Sequence, residues 1–221
     1  MEMNVFDVIG PIMIGPSSSH TAGAVRIGNM AGALLPGKPV RALIGLHGSF
    51  AKTGRGHGTD RALVAGTMGM MPSDVRIRNS LELAQKAGLE ITFEEVELDG
   101  AHPNTAVITL WNQKGESICM QGASIGGGEI MVTQIDGMNV EITGNQPTLL
   151  VLHSDVPGVI AGVTNYLAMN QVNIGGFKLS RKKKGDTALM TLELDEAPDE
   201  KVTQGIRCFP QISRCVLILP S

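Results

Sequence analysis

Three serines, a histidine and a threonine stand side by side at Ser17-Ser18-Ser19-His20-Thr21. Gly15-Pro16 turns the chain before them. After them Ala22, Gly23, Ala24, Val25, Ile27, Met30, Ala31, Ala33 and Leu34 read as a small-residue helix. The hydroxyls therefore sit where a helix begins, a place that favours Ser and Thr because their oxygens satisfy orphan backbone N–H groups. Those N–H groups and the helix dipole also draw anions. One cap uses one hydroxyl; four hydroxyls and an imidazole predict a bound anionic ligand.

A second constellation is Gly48-Ser49 followed by Thr53-Gly54-Arg55-Gly56-His57-Gly58-Thr59-Asp60. Glycines there allow the backbone to approach a ligand closely. His57, flanked by glycines, has little packing from its neighbours and suits acid–base work or ligand contact better than core filling. The plain alternative is a glycine-rich turn with a solvent-exposed His57. The spacing is not a dinucleotide fingerprint, and no GK[ST] follows to make a P-loop. His102-Pro103-Asn104-Thr105 forms a third polar element, with an ordinary Asx turn as its plain reading. Ser124-Ile125-Gly126-Gly127-Gly128-Glu129 joins two expected strands with more glycine than a hairpin requires. It reads either as a flexible loop or as a close contact with a ligand or another chain. The five histidines, His20, His47, His57, His102 and His153, match no local zinc spacing. No G-x-S-x-G elbow marks a serine hydrolase.

These elements need a scaffold, and the composition bounds it. The chain has 221 residues, 43% hydrophobic and 18% charged, an ordinary globular composition. Eighteen Lys and Arg against 21 Asp and Glu give a net charge of −3, and only one Trp, one Tyr and five Phe are available to stack bases. Nucleic-acid binding is set aside on both counts. No apolar run approaches the roughly 20 residues of a membrane helix. The first ten residues lack a positive n-region and a signal-type apolar stretch, so the expectation is a cytoplasmic protein. Cys119, Cys208 and Cys215 form no CxxC pair, which argues against a disulfide framework or structural zinc. They also fall short of the four thiolates that typically hold a cubane iron–sulfur cluster.

The pattern predicts an α+β (mixed α/β) fold. Helices are expected over 19–35, 59–68 and 79–87, and strands over 40–46, 90–96, 106–111, 117–123, 130–135 and 140–143. Gly144-Asn145-Gln146-Pro147 reads as a linker, separating a domain at 1–145 from one at 148–221. The second restarts as strand 148–153, helix 159–169, strands 173–180 and 187–194, helix 199–208 and strand 212–219. That β-α-β-β-α-β order is ferredoxin-like. The basic run from Arg181 to Lys184 reads as a solvated hairpin tip.

Taken together, VFDVIGPIMIGPSSSHTAGAVRIGNMA, GSFAKTGRGHGTDRALVAG and HPNT resemble the β-chain family of the two-chain bacterial iron–sulfur L-serine dehydratases, over essentially the whole chain. The C-terminal unit resembles an ACT domain at Asp155-Val156-Pro157-Gly158-Val159-Ile160 and Val172-Asn173-Ile174. The preceding domain is similar to the allosteric substrate-binding domain of some phosphoglycerate dehydrogenases. The resemblance implies conversion of L-serine to pyruvate and ammonia with a 4Fe-4S cluster, whose open iron acts as a Lewis acid on the substrate hydroxyl. It implies that Ser17, Ser19, His20 and Thr21 take the serine carboxylate. It implies that His57 is the catalytic acid–base group, with Ser49 beside it and Asn104 as a further substrate contact. Asp155, Gly158, Val159 and Asn173 would form an effector site, and ACT domains pair into homodimers. Three scattered cysteines cannot hold the cluster, so no metal ligand is expected here and the cluster is expected on a partner α chain. The rival reading is a non-catalytic amino-acid sensor, which needs the ACT turn but not the His57 segment.

Overall fold

The computed structural model describes residues 13–15 and 17–220; the opening of the first motif at 1–12, Pro16 and Ser221 lie outside them. The hydroxyl run folds as a π-helical turn, Ser18–Gly23, continuous with α1 (Ala24–Leu34). The helix expected over 19–35 is thus present with two different pitches. Strand β1 (Pro39–Leu46) leads into α2 (Ser49–His57) and α3 (Thr59–Thr67). The glycine-rich segment expected as a loop is therefore a helix. Phe50 explains the difference, being fully buried in the first turn, where the Ser49 N–H also donates to the Pro103 carbonyl at 2.8 Å. Such anchoring outweighs the penalty of about 1 kcal/mol that each interior glycine carries. Gly58, at φ 73°, is the left-handed joint between the two helices, a conformation that glycine takes without strain.

A 3-10 turn at Val75–Asn79 precedes α4 (Ser80–Lys86). Then come β2 (Glu90–Glu95), β3 (Thr105–Asn112), β4 (Ser117–Gly126), β5 (Glu129–Ile135) and β6 (Met138–Ile142). The sheet order is β2-β1-β3-β4-β5-β6, with β2 parallel to β1 and antiparallel pairing from β1 through β3 and β4 to β5. Ala106, Ile108 and Leu110 of β3 and Ile118 and Met120 of β4 alternate into one buried face. Helix α1 packs on this face, with Ile27 against the bare backbone of Gly122. Each fully buried Ile, Leu or Met contributes about 1.5–3 kcal/mol. The three glycines before Glu129 are all used by the hairpin. Gly127 and Gly128, at φ 62° and 89°, take the two positive-φ positions of a tight turn, and Gly126 sits beside a register irregularity.

Contacts divide the chain between Asp136 and Gly137. The second unit contains β7 (Thr148–Ser154), α5 (Val159–Met169), β8 (Ile174–Arg181), β9 (Thr187–Leu194), α6 (Glu200–Arg207) and β10 (Ile212–Ile218). Its antiparallel sheet runs β10-β7-β9-β8, the expected β-α-β-β-α-β arrangement. Leu149, Val151, Val163, Leu167, Met190 and Ile206 form its core. Arg181, expected only as part of a solvated tip, donates to the Asp155 carboxylate at 2.7 Å. Among the described residues no helix is long and apolar enough to cross a membrane.

Candidate active site

The end of β1, the start of β3 and the last part of β4 lie at one end of the first sheet, where Leu46 faces Ala106 and Thr105 faces Ala123. The π-turn, the first turn of α2 and the His102–Asn104 segment gather there. Gly23 lets the π-turn lie directly on β4, because a Cβ at that position would stand 2.1 Å from Ser124 Oγ.

His20 is the centre of the cluster and is 9% exposed. Its Nδ1 lies 3.4 Å from Ser17 Oγ, which also accepts the His20 backbone N–H at 3.3 Å. Its Nε2 faces Ser49 Oγ at 3.3 Å and Thr53 Oγ1 at 3.2 Å. The Phe50 ring meets the imidazole edge-on at 5.2 Å between centroids, and the His57 ring lies 4.9 Å away, tilted by 49°. Burial holds His20 below the ordinary imidazole value, His57 pushes the same way, and a hydrogen bond to the Ser49 backbone acts against both. A neutral ring therefore stands among three hydroxyls, beside an exposed second histidine at the end of α2. Such a set offers donors and acceptors to a carboxylate and an imidazole to a mobile proton.

The two motifs thus converge, and the structure brings Ser17, His20, Ser49 and His57 together. Ser19 is half-buried on the π-turn. Thr21 is 3% exposed, and its hydroxyl packs against Gly15 without a hydrogen-bond partner. Asn104 anchors the rim through its backbone, accepting from the Ser124 N–H at 3.0 Å and donating to His102 Nδ1 at 3.1 Å. Among the described residues no hydrogen bond joins its side-chain amide to the His20 cluster. Phe50 escaped the sequence reading, and Thr53 stood in the second constellation without a role of its own. Their signal was the spacing from Ser49, legible only once 49–57 is known to be helical.

At the ACT-like turn, Gly158 (φ 91°) precedes α5 and Val159 is buried. The Asp155 carboxylate accepts from the Gly185 N–H at 2.9 Å and from Arg181, and these bonds hold it below the usual carboxylate range. Asn173 donates to Asp195 at 2.6 Å. Both side chains are already engaged within the fold. Nearby, His153 is buried, with Nδ1 2.7 Å from the Ser154 carbonyl.

A cubane cluster needs converging thiolates. Among the described residues no three His, Cys, Asp or Glu side chains gather as a metal site. Burial pushes the Cys215 thiol up to about 11, while Cys208 is exposed and Cys119 half-buried on a different sheet. These residues do not fit the cluster.

A hydroxyl–imidazole cluster on a mixed sheet is followed by a βαββαβ unit, the ACT arrangement, and the ACT family model matches residues 147–206. The serine dehydratase beta chain model matches residues 4–88. The chain is 44% identical to the probable L-serine dehydratase, beta chain, of Bacillus subtilis, over 95% of its length and 94% of the relative's. It is 40% identical to the L-serine dehydratase, beta chain, of Peptoniphilus asaccharolyticus, over 93% of each. The chain belongs to the serine dehydratase beta chain family. It is also 29% identical to the L-serine dehydratase TdcG of Escherichia coli, over 66% of this chain but 37% of that longer protein. A D-3-phosphoglycerate dehydrogenase of Archaeoglobus fulgidus is 26% identical over 82% of this chain and 34% of its own length.

Proposed function

We propose that this chain is the β subunit of a two-chain enzyme that deaminates L-serine to pyruvate and ammonia. The observation that carries the reading is the meeting of Ser17, His20, Ser49 and His57 at one sheet end. The hydroxyls and His20 take the substrate carboxylate, and Ser19 and Asn104 stand on the rim. His57, exposed beside them, removes the α-proton. Loss of that proton and of the β-hydroxyl as water leaves aminoacrylate, which hydrolyses to pyruvate and ammonia. The acid that assists the leaving hydroxyl is assigned to a partner α chain bearing the 4Fe-4S cluster, because this chain's cysteines do not fit one. The longer TdcG relative, two thirds of which lies outside the match, supports a second component.

Anaerobic co-expression with a cysteine-bearing candidate α chain tests this. Pyruvate release from L-serine is expected only when both chains are present. Activity of this chain alone without iron overturns the split-site reading. The similarity to a phosphoglycerate dehydrogenase favours the second reading, an amino-acid sensor acting through the ACT domain. Serine binding with no deamination beside any α chain selects it.

Pairing of two copies belongs to the same proposal. Strand β8 is the outer strand of its sheet and carries Phe177 and Leu179, 46% and 37% exposed. Large apolar side chains left exposed on an outer strand favour burial against a second copy. Light scattering at micromolar concentration is expected to give a dimer, and Phe177→Glu to shift it toward monomer. A monomeric wild type counts against ACT-mediated pairing.

A further inference from the structure

We infer that Thr53 fixes the proton of His20 on Nε2 and thereby leaves the Ser49 hydroxyl free to donate to a ligand oxygen. The argument is a count of protons. Thr53 has one hydroxyl hydrogen, and Oγ1 donates it to the Ser49 carbonyl at 2.9 Å, one helical turn back. Toward every other neighbour Thr53 Oγ1 is an acceptor. One of those neighbours is His20 Nε2 at 3.2 Å. Were Nε2 bare, two lone pairs would face each other across that distance. With the hydrogen on Nε2, the ring donates to Thr53 Oγ1 and to Ser49 Oγ at 3.3 Å.

The opposite side of the ring agrees. Ser17 Oγ accepts the His20 backbone N–H, so its own hydrogen is available for a bare Nδ1 at 3.4 Å. Every hydrogen in the cluster then has an acceptor. In the other tautomer Ser17 Oγ receives two donors and its own hydrogen has no acceptor in the cluster, Ser49 Oγ must spend its hydrogen on the bare Nε2, and the Thr53 contact is repulsive while Thr53 donates to the Ser49 carbonyl. A neutral imidazole has one donor and one acceptor nitrogen, and its partners choose between them.

Ser49 gains from this arrangement. Because Nε2 is a donor, Ser49 Oγ accepts from it and need not spend its own hydrogen on the ring. In the free chain that hydrogen can rest on Thr53 Oγ1 at 3.3 Å. A carboxylate entering the site is a stronger acceptor than a hydroxyl and takes it over. This last step rests on the substrate reading above; the tautomer does not. Thr53 is thus a positioning residue acting through His20 and Ser49.

Long-range proton–nitrogen NMR on the full chain, labelled at histidine nitrogen, reads the tautomer directly. Wild type and Thr53→Ser are expected to hold His20 as Nε2–H. Thr53→Val keeps the branched shape on an exposed residue and is expected to shift the Nε2–H to Nδ1–H ratio roughly fivefold, the size of one neutral hydrogen bond. A wild-type ring protonated at Nδ1, or a ratio unmoved by Thr53→Val, overturns the inference. Deamination by the two-chain enzyme is read separately. A raised KM for serine in Thr53→Val, restored by Thr53→Ser, is expected. If the tautomer moves while KM does not, the proton assignment stands and the carboxylate reading of the site fails.

Discussion

His57→Ala is expected to lower turnover of the reconstituted enzyme by roughly 10²–10⁴-fold, the usual contribution of a positioned acid or base. Cluster absorbance and thermal midpoint should stay at wild-type values. The asymmetry follows from where His57 sits. It is exposed at the last residue of α2, between Gly56 and Gly58, and its nearest aromatic neighbour is His20 at 4.9 Å. Removing it opens no cavity and strands no buried donor, so the stability change should lie within the roughly 0.5 kcal/mol typical of surface substitutions. Unchanged turnover removes His57 from the proton-transfer role. A lost cluster signal would instead make it a docking residue. The same variant carries a second sign. His57 helps hold His20 below its ordinary imidazole value, so its removal should raise the His20 titration midpoint. An NMR titration of the chain alone reads that shift without the partner.

Gly66→Val should abolish the folded first unit, and Gly66→Ala should lower its thermal midpoint by about 4–8 °C, the overpacking cost less the gain in helix propensity. Helices α1 and α3 touch backbone to backbone at glycines, most closely at Gly28 and Gly66. A Cβ on Gly66 would stand 2.1 Å from the Val25 carbonyl oxygen and 2.8 Å from Gly28 Cα. A Cβ on Gly28 would stand 2.2 Å from the Leu63 carbonyl oxygen. These atoms are backbone, and no rotamer change relieves the clash, so the cost falls near the top of the overpacking range, about 3 kcal/mol. For a chain of this length each kcal/mol moves the midpoint by about 2–4 °C. Helix propensity works the other way, since Ala is better than Gly by about 1 kcal/mol. A midpoint that stays or rises for Gly66→Ala would mean that the helices move apart cheaply. The site shares this fate, because α1 continues the π-turn and α3 follows α2. Separating α1 from α3 pulls His20 away from Ser49 and Thr53.

The second unit was almost wholly legible from its sequence, because each strand there is bounded by turn chemistry: Ser154 to Gly158, Gln171-Val172, Lys183 to Asp186. The first unit was legible in its strands but not in its glycines. Between Thr53 and Gly58 the composition argues for a loop, and only the burial of Phe50, a tertiary fact, makes it a helix. At Gly126 to Gly128, where the sequence left a flexible loop or a close contact open, the three glycines form a hairpin with a register irregularity. Residue types announced a hydroxyl-rich site but not its inside and outside. Thr21 turns its hydroxyl into the fold while Ser17 keeps its own on His20. Thr53 stands far from His20 in sequence, and nothing but the fold brings them together.

The π-turn has a bearing on how such a site is gained or lost. A π-helix spends one more residue per hydrogen-bonded ring than an α-helix. At 3.6 residues per turn, one residue is about 100° of rotation about the helix axis. Deleting a single codon after His20, that of Ala22 for example, would restore regular α spacing into α1 and leave the α1–α3 glycine contact in place. His20 would swing about 100° away from Ser49 and Thr53. One triplet in the π-turn would thus part the His20 cluster from the helix packing that carries it.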